Sequence, residues 1–237
     1  MSDIFSNTSI VNRALIYVAG AENTELIDDI TDQSVDLCNK IRVLMPSCLQ
    51  EVMEALDWAE AKKYTSLGGQ LAHNDPDLLD LGELDWQYAF PLPPDCIVIR
   101  EQIDQADKNL NYDYEVIGDI FCTNDLSTSD HTSAYIRYTR LITDTAKMSG
   151  ALQESFVRLL ASKIAGILKP QEAKNLQGDY FNYLFGEAAQ MNGQRIQPRT
   201  NDEKFTLLYP GIGIDLPYPA NGVYPWWYPF WYPPPGG

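Results

Sequence analysis

Hydrophobic positions near the start of the chain recur at the spacing of an α-helix. Between residues 9 and 19 the apolar side chains fall three or four positions apart, and the pattern stops at Gly20. This predicts a short helix with a glycine at its end. A second run of the same spacing extends over residues 35–56, where Thr31 is placed to cap a long helix.

The second predicted helix carries a proline in its interior. Pro46 removes one backbone hydrogen bond, and its ring clashes with the preceding turn. We therefore expect a kink, or a break into two helices, near Met45, with the second piece ending around Lys62.

The hydrophobic pattern changes in the middle of the chain. Periodicity fades between Tyr64 and Asp85, where glycines and an acidic run predict an exposed loop. From Trp86 to Arg100, strand-forming residues are interrupted by prolines, which favours an edge strand and a turn. Further short strands are predicted at Tyr114–Ile117, Ile120–Thr123 and Ala134–Thr139. Together these segments predict a small antiparallel sheet.

Helical spacing returns after residue 148. Ser149 is placed to cap a helix with a broad apolar face, which closes at Lys169 and Pro170. Pro170 also suits the first position of a following helix, because its missing N–H is not needed there. The apolar pattern of that helix stops at Gly193. Two helices joined so tightly are expected to pack as an antiparallel or steeply angled pair.

These patterns predict an α+β fold, in which a helical bundle contains an inserted small antiparallel β lobe and continues into an extended C-terminal arm. The predicted parts are bundle helices over residues 1–63, a β-rich insertion over 64–140, paired helices over 141–193 that complete the bundle, and the arm over 194–237. With 237 residues and 45% hydrophobic content, the chain is long enough to bury a sizeable core.

The arm differs in composition from the rest of the chain. From Phe205 onward its 33 residues include eight prolines, ten aromatic residues and one charged residue, Asp215. Prolines at this frequency exclude a helix and favour an extended, polyproline II-like chain. Tyr and Trp dominate binding hot spots, and such an apolar segment needs a surface to contact. The residues predicted to bind a partner are Tyr209, Tyr218, Tyr224, Trp226, Trp227, Tyr228, Phe230, Trp231 and Tyr232.

Two other destinations for the arm remain open. One is a strap folded over the chain's own domain. The other is a membrane-interface belt, which is weakened because no Lys or Arg follows Lys204. No stretch of the chain approaches the length of a membrane span, and its first residues lack the features of a secretory signal. Synthesis in a cytoplasm is therefore expected.

Acidic charge is concentrated in the first half of the chain. Residues 1–130 carry 25 acidic and 7 basic side chains, whereas residues 131–237 carry 8 and 10, and the formal net charge is −16. Ordinary DNA binding is not expected, because affinity for phosphates depends on Lys and Arg. The carboxylates either keep a soluble surface hydrated or form a surface that must not hold DNA. Asp75, Asp77 and Asp80 are the candidates for a channel-facing surface.

Catalytic and metal-binding patterns are scarce. Neither His73 nor His131 has a companion at metal-ligand spacing, and the acidic run 75–82 lacks the alternation of a calcium loop. The four cysteines are widely spaced, which favours reduced packing residues over a disulfide framework. We expect no enzyme activity, no cofactor and no metal. An acidic glycosidase, with Trp58 and Trp86 as aromatic platforms, is the weakest alternative.

A series of short segments completes the sequence pattern. They are Val-Ala-Gly-Ala at 18–21, Leu-Asp-Trp-Ala at 56–59 before Lys62 and Lys63, Tyr-Ala-Phe-Pro-Leu-Pro-Pro-Asp-Cys at 88–96, Tyr-Glu-Val-Ile-Gly at 114–118, and Ala-Tyr-Ile-Arg-Tyr at 134–138 followed by Thr143 and Asp144. In order and spacing, these segments resemble the tail tubular protein A, or head–tail adaptor, family of tailed phages over about residues 8–192. One departure is Asp57, where the family usually has a proline before the tryptophan.

The resemblance implies a structural protein of the virion neck, made in the host bacterial cytoplasm and without an active site. It implies self-assembly into a twelve-fold ring that contacts the portal protein on one side and the tail nozzle or tail tube protein on the other. Double-stranded DNA would pass transiently through that ring. The resemblance does not extend to the arm from Phe205. An alternative of a different class is a non-viral interaction module that uses its Pro/aromatic arm to bind a groove on a partner.

Overall fold

The computed structural model describes residues 3–20, 26–72, 86–107, 110–128 and 131–195. Helix α1 spans Thr8–Ala19, as its apolar spacing predicts, and the Asn7 side chain accepts a hydrogen bond from the backbone N–H of Ile10 at its start. Gly20 ends the helix with a φ of 79°, a conformation that glycine adopts without steric cost.

Helix α2 spans Asp36–Ala55 and begins later than predicted. Thr31 is not its N-cap, because its backbone N–H and its hydroxyl both bond to the carboxylate of Asp29 in the preceding turn. The helix follows Val35 without a side-chain cap. A threonine that bonds to an aspartate two residues earlier is no longer free to cap a helix.

The predicted break in α2 does not occur, and the helix continues through Pro46 to Ala55 rather than to Lys62. Pro46 lies on the exposed side, whereas Met45 and Leu49 on either side of it are fully buried. The buried face holds both halves of the helix against the core, so the helix continues although Pro46 donates no backbone hydrogen bond.

The β lobe contains two antiparallel sheets rather than the single sheet that was predicted. The strands are β1 (Lys62–Ser66), β2 (Tyr88–Pro91), β3 (Cys96–Ile103), β4 (Asn111–Tyr112), β5 (Tyr114–Ile117), β6 (Ile120–Thr123) and β7 (Tyr135–Arg140). One sheet has the order β1-β7-β3-β4, and the other has the order β2-β6-β5. Strand β1 occupies the start of the predicted loop, because its residues pair with β7.

The C-terminal part of the bundle follows the prediction closely. Helix α3 spans Gly150–Leu168, and the Ser149 hydroxyl accepts from the backbone N–H of Leu152 at 3.1 Å, which confirms the cap. Helix α4 spans Pro170–Tyr183 with the proline in its first turn. A π-helical segment, Leu184–Ala188, and a short helix α5, Ala189–Gly193, follow it. The π-helical segment has no counterpart in the prediction.

Helix α3 lies at the centre of the bundle, where it packs against α1, α2 and α4. The bundle core also includes Trp58, which is fully buried. A separate hydrophobic cluster around Phe90, Phe121 and Tyr138 fills the β lobe. The chain therefore has the predicted α+β fold, with a helical bundle and an inserted β lobe. The arm lies outside the described residues, and within the described ranges no helix combines the length and hydrophobicity needed to cross a membrane.

Candidate interaction surfaces

The residues that sequence analysis singled out for binding lie outside the described residues. This applies to the nine aromatic residues of the arm from Tyr209 to Tyr232, and to Asp75, Asp77 and Asp80 of the predicted channel-facing group. The surfaces that the described residues do form are the junction between bundle and lobe, two shallow grooves on the bundle, and an acidic edge of the lobe.

The described residues contain no group of three or more His, Cys, Asp or Glu side chains that could hold a metal ion. His131 lies in a turn with a φ of 52°, and its Nδ1 is 3.4 Å from the carbonyl oxygen of Leu126. His73 lies outside the described residues. His131 thus has a local backbone contact and no ligand companion in the described part of the chain.

The four cysteines are free thiols, and three of them are buried. Burial raises the pKa of Cys48 to about 12 and that of Cys96 to about 11. Both thiols are protonated at neutral pH and are poor nucleophiles, because the thiolate is the reactive form. The cysteines are packing residues, as their spacing predicts.

The bundle and the β lobe meet at the segment that follows α2. Trp58 is fully buried, and its Nε1 donates to the carbonyl oxygen of Val52 at 2.8 Å. Asn192 of α5 holds the same segment from the other side: its Nδ2 donates to the carbonyl oxygen of Asp57 at 2.8 Å, and its Oδ1 accepts from the N–H of Ala59 at 2.9 Å. These bonds fix the direction in which the chain leaves α2. Because Trp58 is buried, it cannot serve as a platform for a sugar.

Arg100 of strand β3 caps the C-terminus of α2. Its guanidinium donates to the carbonyl oxygens of Met53, Glu54 and Leu56 at distances between 2.8 and 3.1 Å. Carbonyls in the last turn of a helix lack helical partners, and a positive charge there is favourable. The Nε of Arg100 donates to the Thr139 hydroxyl on β7, and burial lowers the pKa of Arg100 from its ordinary value.

Arg137 of strand β7 makes the second link between lobe and bundle. One of its terminal nitrogens lies 2.5 Å from the Asp57 carboxylate, its Nε bonds to Glu101, and Lys62 contacts the same Asp57 oxygen at 3.0 Å. Burial alone would lower the pKa of Arg137, but the hydrogen bond to Glu101 and the charge of Asp57 outweigh it and raise the pKa. Asp57 is thus the anion shared by two cations.

Asp95, in the segment 88–96, pins β1 and β7 to the start of β3. Its carboxylate accepts from the Tyr138 hydroxyl at 2.8 Å and lies 2.9 Å from the Lys63 Nζ, while its carbonyl oxygen accepts from the N–H of Leu141. Burial tends to raise the pKa of Asp95, but the bonds from Lys63 and Tyr138 outweigh it and lower the pKa. The segment 88–96 therefore contains a structural anchor of the lobe.

A charged and aromatic cluster joins α1, α3 and α4. Arg158 lies 5.0 Å from the ring centroid of Tyr17 and 4.5 Å from that of Tyr183. Glu154 accepts from Arg13, from the Tyr17 hydroxyl and from Arg158. Burial and the hydrogen bond to Glu154 raise the pKa of Tyr17. Each charged group has its partners within the cluster, which stabilises the packing of the three helices.

Two shallow grooves indent the bundle. The first, of about 390 Å³, lies between the end of α1 and the start of α4 and is mostly polar, with Lys169, Glu172 and Asp179 in its wall. The second, of about 550 Å³, lies beside α2, and Phe5 and Val43 line it. The second groove is the more apolar of the two.

The β lobe has an acidic edge at strand β5. Asp113, Glu115 and Asp119 are exposed on or beside this strand, and none of them has an ion pair with a described residue. The sequence shows an acidic excess in the first half of the chain, but it does not indicate that these three carboxylates lie at one edge of the lobe.

Sequence reasoning also missed Arg100, Arg137 and Asn192 as the residues that join lobe and bundle. No local pattern indicates them, because their partners lie far away in the chain. A scan of the chain against protein-family models finds no match, and a search of curated proteins finds none either.

Proposed function

We propose that this chain is a structural subunit of a tailed-phage neck, a head–tail adaptor that assembles into a twelve-fold ring between the portal and the tail tube or nozzle. One observation supports the proposal most. Of the segments in the adaptor resemblance, 56–59 contains Asp57 and Trp58, which hold the lobe on the bundle, and 88–96 contains Asp95, which joins β1 and β7 to β3 within the lobe. The fold that the resemblance implies, a bundle with a β insertion, is also the fold of the described residues.

The mechanical role suits a subunit with a firmly attached lobe. A closed ring of identical chains needs two complementary faces on each chain, and these must keep a constant angle to one another. Arg100 and Arg137 link the lobe to the end of α2 through buried, charge-assisted hydrogen bonds. A face on the lobe and a face on the bundle can therefore meet their neighbours in one fixed geometry.

The arm supplies the contact with a different protein, in this proposal the portal or the nozzle. Deletion of residues 205–237 is expected to leave a folded core, because the described elements end before it, and to abolish docking to capsids that carry a portal. Circular dichroism reports the folding of the truncated chain, and electron microscopy of the chain mixed with capsids reports its docking.

A matched control removes only residues 233–237, Pro-Pro-Pro-Gly-Gly, and keeps every aromatic residue of the arm. This shorter deletion is expected to preserve docking. If the chain without residues 205–237 still docks, the arm is an internal strap and the proposed contact is wrong.

The acidic loop supplies the surface past which DNA slides, since like charges repel. Replacing Asp75, Asp77 and Asp80 together with lysine is expected to slow DNA ejection from assembled virions, because lysines would hold phosphates and release their counterions. Time-resolved fluorescence of a DNA-binding dye measures ejection.

The control makes the same charge change elsewhere on the chain. It replaces three exposed acids of the paired helices with lysine: Glu172, Asp179 and Glu187. Ejection from these virions is expected to keep its normal rate. An unchanged rate in the first variant, or an equal delay in both, argues against a channel-facing role for the loop.

The composition of the arm favours one other candidate, a non-viral module whose Pro/aromatic arm binds a groove on a partner. Size-exclusion chromatography with a portal protein separates the two functions. Only an adaptor is expected to elute with the portal as one large ring-shaped assembly.

A further inference from the structure

The groove beside α2 has an exposed apolar wall. Val43 has 78% of its surface exposed, more than any other large hydrophobic side chain in the described residues. Pro46, one turn later on the helix, is also exposed, and Phe5 from the N-terminal 3-10 turn lines the opposite side. Val43, Pro46 and Phe5 together give this groove of about 550 Å³ an apolar lining that a second surface can cover.

The same groove carries one unpaired positive charge. Arg42 is exposed and has no hydrogen bond or ion pair with any described residue, whereas the neighbouring Lys40 pairs with Asp36 at 2.6 Å. Asp3 also lines the groove and accepts a hydrogen bond from the N–H of Phe5, but it belongs to the N-terminal segment, whereas Arg42 is next to Val43 on α2. The surface that fits this groove therefore combines an apolar side chain with a carboxylate.

A surface of that kind lies on the β lobe of the chain itself. Val116 of β5 is 40% exposed, and the exposed Asp119 lies beyond it at the turn to β6, whereas Glu115 is on the other face of the strand and accepts from Trp86 Nε1 at 2.7 Å. Strand β5 is an edge of its sheet, so its outer backbone groups pair with no other described strand. Gly118, with a φ of 64°, allows the tight turn to β6 and leaves Asp119 exposed at its tip.

We propose that the groove beside α2 receives the β5 edge of a second copy of this chain, with Val116 against Val43 and Pro46 and with Arg42 facing the carboxylate of Asp119. This inference rests on the proposed function, because a ring needs such a pair of faces. The groove is on the bundle and β5 is on the lobe, so the contact joins unlike faces and propagates around a ring. Charge favours this occupant over the arm, which has a single charged residue from Phe205 onward.

Photo-crosslinking of the full-length chain tests the contact directly. Benzoylphenylalanine is introduced at Val43, and isotope-labelled and unlabelled chains are mixed at high concentration. A crosslink between two copies can then join a labelled peptide to an unlabelled one. We expect mixed-isotope crosslinks to residues 110–123. The same probe at Met191, which is 48% exposed on α5, is the control and is expected to give none to that region. Crosslinks from Val43 to residues 205–237, or no crosslinks between copies, would overturn the proposal.

Charge reversal provides a second measurement. Arg42→Glu is expected to weaken self-association by about tenfold in sedimentation equilibrium, and adding Asp119→Arg is expected to restore it. Lys174→Glu makes the same charge change on the exposed side of α4 and is expected to have no effect. Equal weakening by both reversals, or no rescue, contradicts the assigned contact.

The proposed function and this contact fail in different ways. A ring on the virion neck whose Val43 crosslinks map away from β5 leaves the adaptor role intact and overturns the contact. Crosslinks to β5 in a chain that never joins a neck leave the contact intact and overturn the adaptor role.

Discussion

Replacing Trp58 with alanine is expected to lower the free energy of unfolding by about 3–5 kcal/mol, the usual range for a large aromatic residue removed from a core. Trp58 is fully buried between the end of α2 and the rest of the bundle. Its indole N–H also donates to the carbonyl oxygen of Val52. This carbonyl lies in the last turn of α2, which ends at Ala55, and carbonyls there lack a helical donor. Urea denaturation followed by circular dichroism measures the loss.

One variant at this position separates packing from hydrogen bonding, and a variant at a second tryptophan is the control. Trp58→Phe keeps most of the volume and loses the indole N–H, so we expect a smaller loss of about 1–2 kcal/mol. Trp86→Ala is the matched control: this tryptophan is partly exposed and donates to an exposed carboxylate, Glu115, so a loss of about 1 kcal/mol or less is expected. If Trp58→Ala and Trp86→Ala cost the same, Trp58 is not the residue that joins the two parts.

Replacing Arg137 with methionine is the second large effect, with an expected loss of about 3–5 kcal/mol. The side chain of Arg137 is only 14% exposed, and those of its partners Asp57 and Glu101 are 23% and 25% exposed. Without Arg137, both carboxylates lose this partner in a largely buried site, and only Lys62 remains beside Asp57. The cost of an unpaired buried charge exceeds the value of the lost bonds themselves.

A triple variant tests that explanation. Asp57→Asn and Glu101→Gln, added to Arg137→Met, remove the unpaired charges and are expected to recover much of the lost stability. Arg195→Met is the control, because Arg195 is 54% exposed and lies 3.6 Å from Glu60, and we expect a loss of less than about 1 kcal/mol. A triple variant that is less stable than Arg137→Met alone would show that the individual bonds, and not charge burial, hold the lobe in place.

The two predictions bear on function through the same junction. Trp58 and Asn192 set the direction in which the chain leaves α2, and Arg137 sets the angle of the sheet on the bundle. If the groove at α2 and the edge strand β5 meet neighbouring copies, this angle determines the curvature of the ring. Substitutions at the junction that leave the chain folded are therefore expected to alter assembly more than substitutions of equal cost elsewhere in the core.

Several elements could be predicted because their determinants lie within one turn of the chain. Ser149 caps α3, Gly20 ends α1 and Pro170 begins α4, each through its own backbone preference or side-chain bond. The errors had two causes, a competing local bond and a contact distant in the chain. Thr31 bonds to Asp29 instead of capping α2, and Tyr64 joins a strand because β7, some seventy residues later, pairs with it.

Pro46 shows the limit of a local rule most clearly. The proline removes a helical donor wherever it occurs, but whether a helix breaks there depends on which side faces solvent. In α2 the proline is exposed while Met45 and Leu49 pack into the core, so the helix continues. The exposed proline then becomes part of a groove that no sequence pattern had indicated.

By itself the sequence determined the α+β class, the boundaries of α1 and α3, the start of α4, the acidic first half and the unusual composition of the arm, because each follows from neighbouring residues or from composition. Only the tertiary structure decided that the lobe has two sheets, that Arg137 meets Asp57 eighty positions away, and that Val43 and Arg42 stay exposed beside α2. The physical reason is that burial and ion pairing depend on which segments pack together, and the free energy of that packing comes from contacts distant in the chain.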